Sequence, residues 1–280
     1  MTRRPDRGRV IVALNDTDGA RAALSWSVPE ALAGPHRLML VHVAGPVDLT
    51  EWDVGCHRQV LERACSAMLG EAASQVQRRH PELVVETLQT RGDVVETLVD
   101  LSEQAELLVL GTTGTGGNLG SVLGSVSQRV AVHARCPVAI VKLGDDAVGH
   151  RELGVLVGLS GTGSGLAAIR FAAAEADRRR VRLTALHAGD AISAAVQAEL
   201  GAARARYHEL ELRIRRTADE PTQALLQAAD HAELLVLGAH HSDDRWSTRL
   251  GPVPQSLLHR TGCPMVLVGS SRAVPALIPA

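Results

Sequence analysis

Lysine is almost missing from this chain. Lys142 is the only one, so 28 of the 29 basic side chains are arginine. That scarcity excludes a Walker-type phosphate loop, which needs Gly-Lys-Ser/Thr, because Lys142 stands between Val141 and Leu143. Schiff-base chemistry would also fall to this one residue, and it lies in a strand-like run. Aromatic side chains are equally sparse, limited to Trp26, Trp52, Trp246, Tyr207 and Phe171. Single-stranded nucleic acid therefore finds no stacking platform. With 29 basic against 31 acidic groups the net charge is -2, which does not attract a polyanion, and no nucleic-acid partner is expected.

Long apolar runs are absent too. No segment approaches the ~20 apolar residues that span a bilayer. Behind the basic N-terminus the apolar stretch is only Val10–Leu14, short of the ~7–15 residues of a signal peptide. No membrane partner is expected, and the cytoplasm is the expected location. The four cysteines form no Cys-x-x-Cys. Cys56 and Cys65 stand nine apart in a helix-like stretch, and Cys136 and Cys263 each precede a proline. They read as structural thiols rather than as disulfide, metal or redox groups.

What the chain does have is an internal repeat. Glu106-Leu-Leu-Val-Leu-Gly111 recurs letter for letter as Glu233-Leu-Leu-Val-Leu-Gly238, a shift of 127 shared by the two Cys-Pro pairs. Nearer the start of each copy the shift is 145, as in Val12-Ala-Leu-Asn15 against Val157-Gly-Leu-Ser160, and His42 against His187. The difference of 18 residues falls between about Gly45 and Val84, and predicts a longer second helix in the first copy. The 280 residues thus divide into domains 1–146 and 151–280, joined by a polar, Gly-containing linker.

Each copy alternates strand and helix. In the first, strands are predicted at Val10–Leu14, Leu38–Val43, Leu83–Gln89, Leu107–Leu110 and Val138–Leu143. Helices are predicted over 18–33, with Pro29 as an interruption, over about 51–79, over Val94–Ala105 behind an Asp93 cap, and over 125–133. This alternation implies a parallel sheet covered by helices.

A glycine-rich loop follows the fourth strand: Gly111-Thr-Thr-Gly114-Thr-Gly-Gly-Asn-Leu-Gly-Ser-Val-Leu-Gly124-Ser125. It leaves the C-terminal end of a parallel strand, where open α/β sheets hold ligands, and runs into a helix N-terminus, which favours an anion. The dinucleotide pattern Gly-x-Gly-x-x-Gly is not met, since the sixth residue from Gly114 is Leu119.

The spacing Gly111-x2-Gly114-x9-Gly124-Ser125, with the closing run from Ala134 (Ala-Arg-Cys-Pro-Val-Ala-Ile-Val), resembles the universal stress protein family over nearly the whole chain, as two tandem copies. The resemblance implies two five-stranded parallel α/β domains with helices on both faces, Rossmann-like and nucleotide α-hydrolase-like. It also implies pairing through the fifth strands, as an intramolecular pseudo-dimer or a homodimer. Members with the full motif bind ATP. ATP or another adenine nucleotide, with Mg, is therefore the implied ligand, and the implied role is a nucleotide-dependent stress-response regulator. The implied nucleotide-binding residues are Ala13, Asn15, Val43, Leu110, Gly111, Thr113, Gly114, Gly124, Ser125 and Val126. No nucleophile or base is implied, so catalysis is limited to at most slow ATP hydrolysis.

Departures from the family pattern qualify this expectation. Asn15 stands where the family has Asp, and no Arg or Lys lies between Gly114 and Gly124. In the second copy Ser160 replaces that Asp, His241 the second glycine, and Pro252 the serine, with Asp243 and Asp244 close by. Proline offers phosphate neither N–H nor hydroxyl, so the second site is expected to be empty or much weakened. The alternative is a nucleotide-free interaction scaffold of the same fold. Weaker signals read structurally: His240-His241 with His231 lacks a third ligand at metal spacing. The Ser160–Gly165 segment reads as a turn before a helix, and the Arg178–Arg182 cluster as solvated charge at a helix C-terminus.

Overall fold

The computed structural model describes residues 8–45, 54–112, 125–143, 152–239 and 249–269. In the first half the chain runs β1 (Arg9–Ala13), α1 (Asp18–Leu32), β2 (Arg37–Ala44), α2 (Val54–Arg79), β3 (Val85–Arg91), α3 (Val94–Ser102), β4 (Ala105–Gly111), α4 (Ser125–His133) and β5 (Val138–Val141). The second half repeats the order: β6 (Val155–Gly158), α5 (Gly163–Arg179), β7 (Leu183–Ala188), α6 (Ala194–Arg206), β8 (Leu212–Thr217), α7 (Pro221–Ala229), β9 (Leu234–Gly238), α8 (Pro252–Arg260) and β10 (Met265–Val268). Among the described residues no helix is long and apolar enough to cross a membrane.

All strands join one 10-stranded sheet in the order β3-β2-β1-β4-β5-β10-β9-β6-β7-β8. Pairing is parallel within each half and antiparallel only where β5 meets β10, with Ile140 opposite Met265 and Val138 opposite Leu267. The fifth-strand pairing expected of a pseudo-dimer is thus made within one chain. Both faces of the sheet are covered, so the inner strands are apolar on successive residues rather than alternate ones. Val10, Val12, Leu38, Leu40 and Val109 face α1, α2 and their repeats, while Ile11, Val41, Leu108 and Leu110 face α3, α4 and theirs. Both apolar layers continue across the seam, through Val141 and Val266 on one face and Ile140 and Met265 on the other. The helices meet the sheet through small side chains, among them Ala20, Ala23, Ala168, Ala172 and Ala176, all buried. Close helix–sheet approach therefore supplies the packing that few aromatics could.

Three expectations need correction. Pro29 does not interrupt α1, because it sits in the last turn and forfeits a single backbone donor, while its own carbonyl still accepts from Ala33 N–H at 3.0 Å. The helix behind Asp93 stops at Ser102, and β4 begins at Ala105, because Glu103 and Gln104 close a turn onto Asp100 and Leu101. The Arg178–Arg182 cluster is not simply solvated. Arg178 and Arg179 side chains are only 14% and 18% exposed, and both bind Glu30 and Glu175, themselves 7% and 5% exposed. The longer second helix is present: α2 has 26 residues and α6 has 13.

This four-charge cluster ties α1 to α5 across the seam. Glu30 and Glu175 are repeat equivalents, 145 apart, and the fold brings them face to face. Arg179 reaches Glu30 at 2.6 Å and also lies 5.7 Å from the centre of the Trp26 ring. Burial and the neighbouring carboxylate push Glu30 up to about 8. Glu175 is held down to about 2, because both arginines outweigh its own burial. The two acids thus share one proton and two cations.

Replacing the proton-bearing partner should cost little, and replacing the ionised one much. Glu30→Gln is expected to unfold in urea within about 1 kcal/mol of wild type near pH 4.5 and to be the more stable of the two near neutral pH, whereas Glu175→Gln loses ~3 kcal/mol or more by leaving buried guanidinium charge uncompensated. The pH dependence has a definite sign. Glu30 carries a raised value when folded, so its contribution is complete below its ordinary 4.5 and is lost as pH rises through about 8. The stability of wild type relative to Glu30→Gln should therefore fall across that window, by up to ~1.4 kcal/mol per pH unit, and level off above it.

Candidate functional site

The C-terminal ends of β1, β2 and β4 open onto a cavity of about 270 Å³. Its walls are Ala13, Leu14 and Asn15 after β1, and Val41, His42 and Val43 on β2. Val94 and Leu98 of α3, Leu110 and Gly111 of β4, Ala20 of α1, and Val126 and Ser127 of α4 complete it. Each wall has a local cause. Asp93 accepts from Val95 N–H and Glu96 N–H, both at 2.9 Å, and so starts α3 where Val94 can reach the cavity. Thr17 caps α1 through Ala20 N–H at 3.2 Å and donates its hydroxyl hydrogen to Asn15 Oδ1 at 2.6 Å, which fixes that amide at the rim. His42 is held by a 2.8 Å hydrogen bond from Nδ1 to the Leu14 carbonyl.

Six of the expected binding residues, Ala13, Asn15, Val43, Leu110, Gly111 and Val126, line this one cavity. Ser125 is the first residue of α4, next to Val126 in the sequence. Thr113, Gly114 and Gly124 lie outside the described residues. Sequence reasoning passed over Ser127, which the α4 start places in the wall, and treated His42 only as a marker of the repeat. The first turn of α4 supplies Val126 and Ser127 to the wall, and the first N–H groups of a helix have no partner within it, which favours an anion at such an end. Apolar side walls with few polar groups suit a flat, weakly polar ring. Among the described residues no group of three or more His, Cys, Asp or Glu could hold a metal ion.

Gly111 is required by packing, whatever the cavity holds. A Cβ there would come within 2.2 Å of the Gly19 carbonyl oxygen, and a Cβ on Gly19 within 1.8 Å of the Thr112 oxygen. The start of α1 therefore lies directly on the end of β4, and two facing glycines permit it.

The second half keeps a cavity of about 240 Å³ at the equivalent place. Gly158 takes the place of Ala13, Ser160 of Asn15, Ala188 of Val43, Pro221 of Val94 and Pro254 of Ser127. Leu225, Leu237 and Gly238 repeat Leu98, Leu110 and Gly111. The apolar floor is thus retained while the polar rim is altered, and Pro252 and Pro254 remove donors at the start of α8.

The universal stress protein family model matches residues 7–142 and 188–269. A universal stress protein of Mycobacterium tuberculosis H37Rv is 28% identical over 94% of this chain and 96% of its own length. Another, from Mycobacterium bovis, is 29% identical over 94% of this chain and 97% of its own. Among solved structures, a universal stress protein from Archaeoglobus fulgidus superposes with a TM-score of 0.78 at 17% identity, covering 94% of this chain and 98% of that one, which shows a shared fold. The chain belongs to the universal stress protein family, as a tandem member.

Because Gly111 meets backbone, Gly111→Ala should destabilise the chain by ~1–3 kcal/mol in urea unfolding. Gly70, within α2, has nothing within 4 Å of an added Cβ. Gly70→Ala is accordingly expected to stabilise by ~0.5–1 kcal/mol, which gives the pair opposite signs.

Proposed function

We propose that residues 1–146 hold an adenine nucleotide, ATP accompanied by Mg, in the cavity at the ends of β1, β2 and β4. The chain then acts as a nucleotide-dependent stress-response regulator in the cytoplasm rather than as a metabolic enzyme. The observation that carries this reading is the convergence of Ala13, Asn15, Val43, Leu110, Gly111 and Val126 on one cavity beside the α4 N-terminus. Ala13, Val43 and Leu110 would flank the base, and Asn15 would offer the ribose side a neutral acceptor. Phosphate would rest on backbone donors of the Gly114–Gly124 loop, Ser125 and the helix end, since the described wall carries no Arg or Lys. The bound nucleotide stabilises the conformation it fits and so biases partner binding or assembly. Residues 151–280 form the second domain, with a site weakened by Ser160, Pro252 and Pro254.

One observation favours a second reading, the nucleotide-free scaffold. Packing of Gly111 against Gly19 explains its presence without any ligand.

Equilibrium dialysis with labelled ATP and Mg separates the two. One site per chain is expected, and saturation at 100 times Kd should stabilise the fold by ~2.7 kcal/mol in thermal unfolding. Ala13→Leu, which fills the cavity, should weaken binding at least tenfold. Two equivalent sites per chain would overturn the weakening of the second half. No binding at millimolar ATP would overturn the nucleotide reading and leave the scaffold.

A further inference from the structure

The Cys65 sulfur lies 3.2 Å from His42 Nε2, with the thiol half-buried on α2 and the imidazole on β2. The other ring nitrogen of His42 is 2.8 Å from the Leu14 carbonyl oxygen. A carbonyl oxygen can only accept, so Nδ1 carries the hydrogen, and in the neutral ring Nε2 is left with its lone pair. The Cys65 S–H therefore points its proton at an imidazole base whose tautomer is fixed from behind. A thiol within reach of a base that a third group orients is the arrangement of an activated nucleophile. Structural thiols in the same chain contrast with it. Cys136 and Cys263 are buried, and Cys263 donates to the Ala232 carbonyl at 3.3 Å. The pair belongs to the first half alone: His187 repeats His42, but the shorter α6 contains no cysteine.

We propose that Cys65 is a thiol-modification site, with His42 as its base, that takes small soluble disulfides to form a mixed disulfide. His42 Nε2 removes the Cys65 proton, and the thiolate sulfur attacks one sulfur of the disulfide. The new S–S bond forms as the old one breaks, and the second sulfur departs as a thiolate that takes the proton back from the imidazolium. Cys65 is oxidised and the small disulfide is reduced, with no further oxidant. Internal disulfide formation does not compete along α2, because nine residues of helix set Cys56 ~13.5 Å further along the axis, beyond disulfide reach. The other two cysteines are buried on the opposite face of the sheet from α2. The adduct would sit behind the His42 wall of the first cavity, and the proposal stands whether or not that cavity holds a nucleotide.

The test uses the full chain and 4,4′-dithiodipyridine, a neutral aromatic disulfide whose released thiopyridone absorbs in the near ultraviolet. One fast equivalent per chain is expected at pH 7, at least tenfold faster than a cysteine peptide of ordinary reactivity, with the label mapped to Cys65 by peptide mass. Cys65→Ser should abolish that phase and Cys56→Ser should keep it. His42→Asn keeps a donor toward Leu14 but removes the base. It should slow the reaction tenfold or more at pH 7, yet match wild type at pH 9.5, where solvent deprotonates the thiol. Glu62, one turn earlier on α2, pairs with Arg91 at 2.6 Å. A wild-type rate no faster than the peptide, a fast phase that survives Cys65→Ser, or a His42→Asn rate equal to wild type at pH 7 would overturn the proposal. A His42→Asn rate slow at both pH values would do the same, by making His42 merely structural. The comparison of wild type with peptide needs no variant, so it decides the matter even where His42→Asn fails to fold.

Discussion

The antiparallel contact of β5 with β10 is the constraint on which the rest of the architecture depends. Each strand is four residues long, and every one of those residues is buried. Left alone, either half would present an apolar strand with open backbone donors and acceptors, the surface from which sheets aggregate. Closing the two edges on each other removes both hazards and reverses the strand direction at the seam. The two cavities then open at opposite ends of the sheet, since each lies at its own strands' C-terminal ends. The reversal also sets α1 beside α5 on one face, and α4 beside α8 on the other, where Gln128 meets His259 at 3.2 Å. The one lysine belongs to this junction as well: Lys142, buried, donates to the Thr261 carbonyl at 2.6 Å.

A dyad-like junction forces equivalent residues together, and that creates a problem for a charged one. Glu30 and Glu175 meet because the repeat is paired with itself, and two buried carboxylates cannot both ionise cheaply. The chain resolves this asymmetrically. Both compensating arginines come from α5, while the equivalent positions after α1 are Ala33 and Gly34. Such a solution is open to a fused repeat but not to two identical chains, which would bring four arginines to the same pair. The cavities show the same freedom, with the first keeping Asn15 and Ser127 while the second carries Ser160 and Pro254.

Much of this was legible in sequence because it is written locally. The Asp93 cap, the α4 start at Ser125 and the apolar runs of the strands are set by neighbours within a few residues. The 18-residue difference between repeat shifts placed the longer helix without any structural information. What escaped depends on partners far along the chain. Arg178 looked like solvated charge at a helix end because its partner Glu30 is 148 residues away. Cys65 looked structural because His42, 23 residues earlier, reaches it only once α2 has packed back over β2. Gly111 is legible as a loop glycine, but its packing role is not, because an added Cβ there would meet Gly19, which stands 92 residues earlier at the start of α1. The phosphate side of the site stays an expectation carried by spacing, because Thr113, Gly114 and Gly124 lie outside the described residues.

The scarcity of lysine and aromatics acquires a physical meaning in this setting. A core with one phenylalanine must gain its density from close approach, and the buried alanines of α1 and α5 allow their helices to lie near the sheet. That proximity is what makes Gly19 and Gly111 touch, at the last residue of β4. A cavity bounded so tightly by backbone leaves little room for a long cationic side chain, and its described wall has none. Any anion admitted there would be met by peptide N–H groups rather than by a lysine. Such recognition depends on loop conformation more than on charge, so it would tolerate higher salt than a lysine-based site and respond sharply to changes in backbone shape.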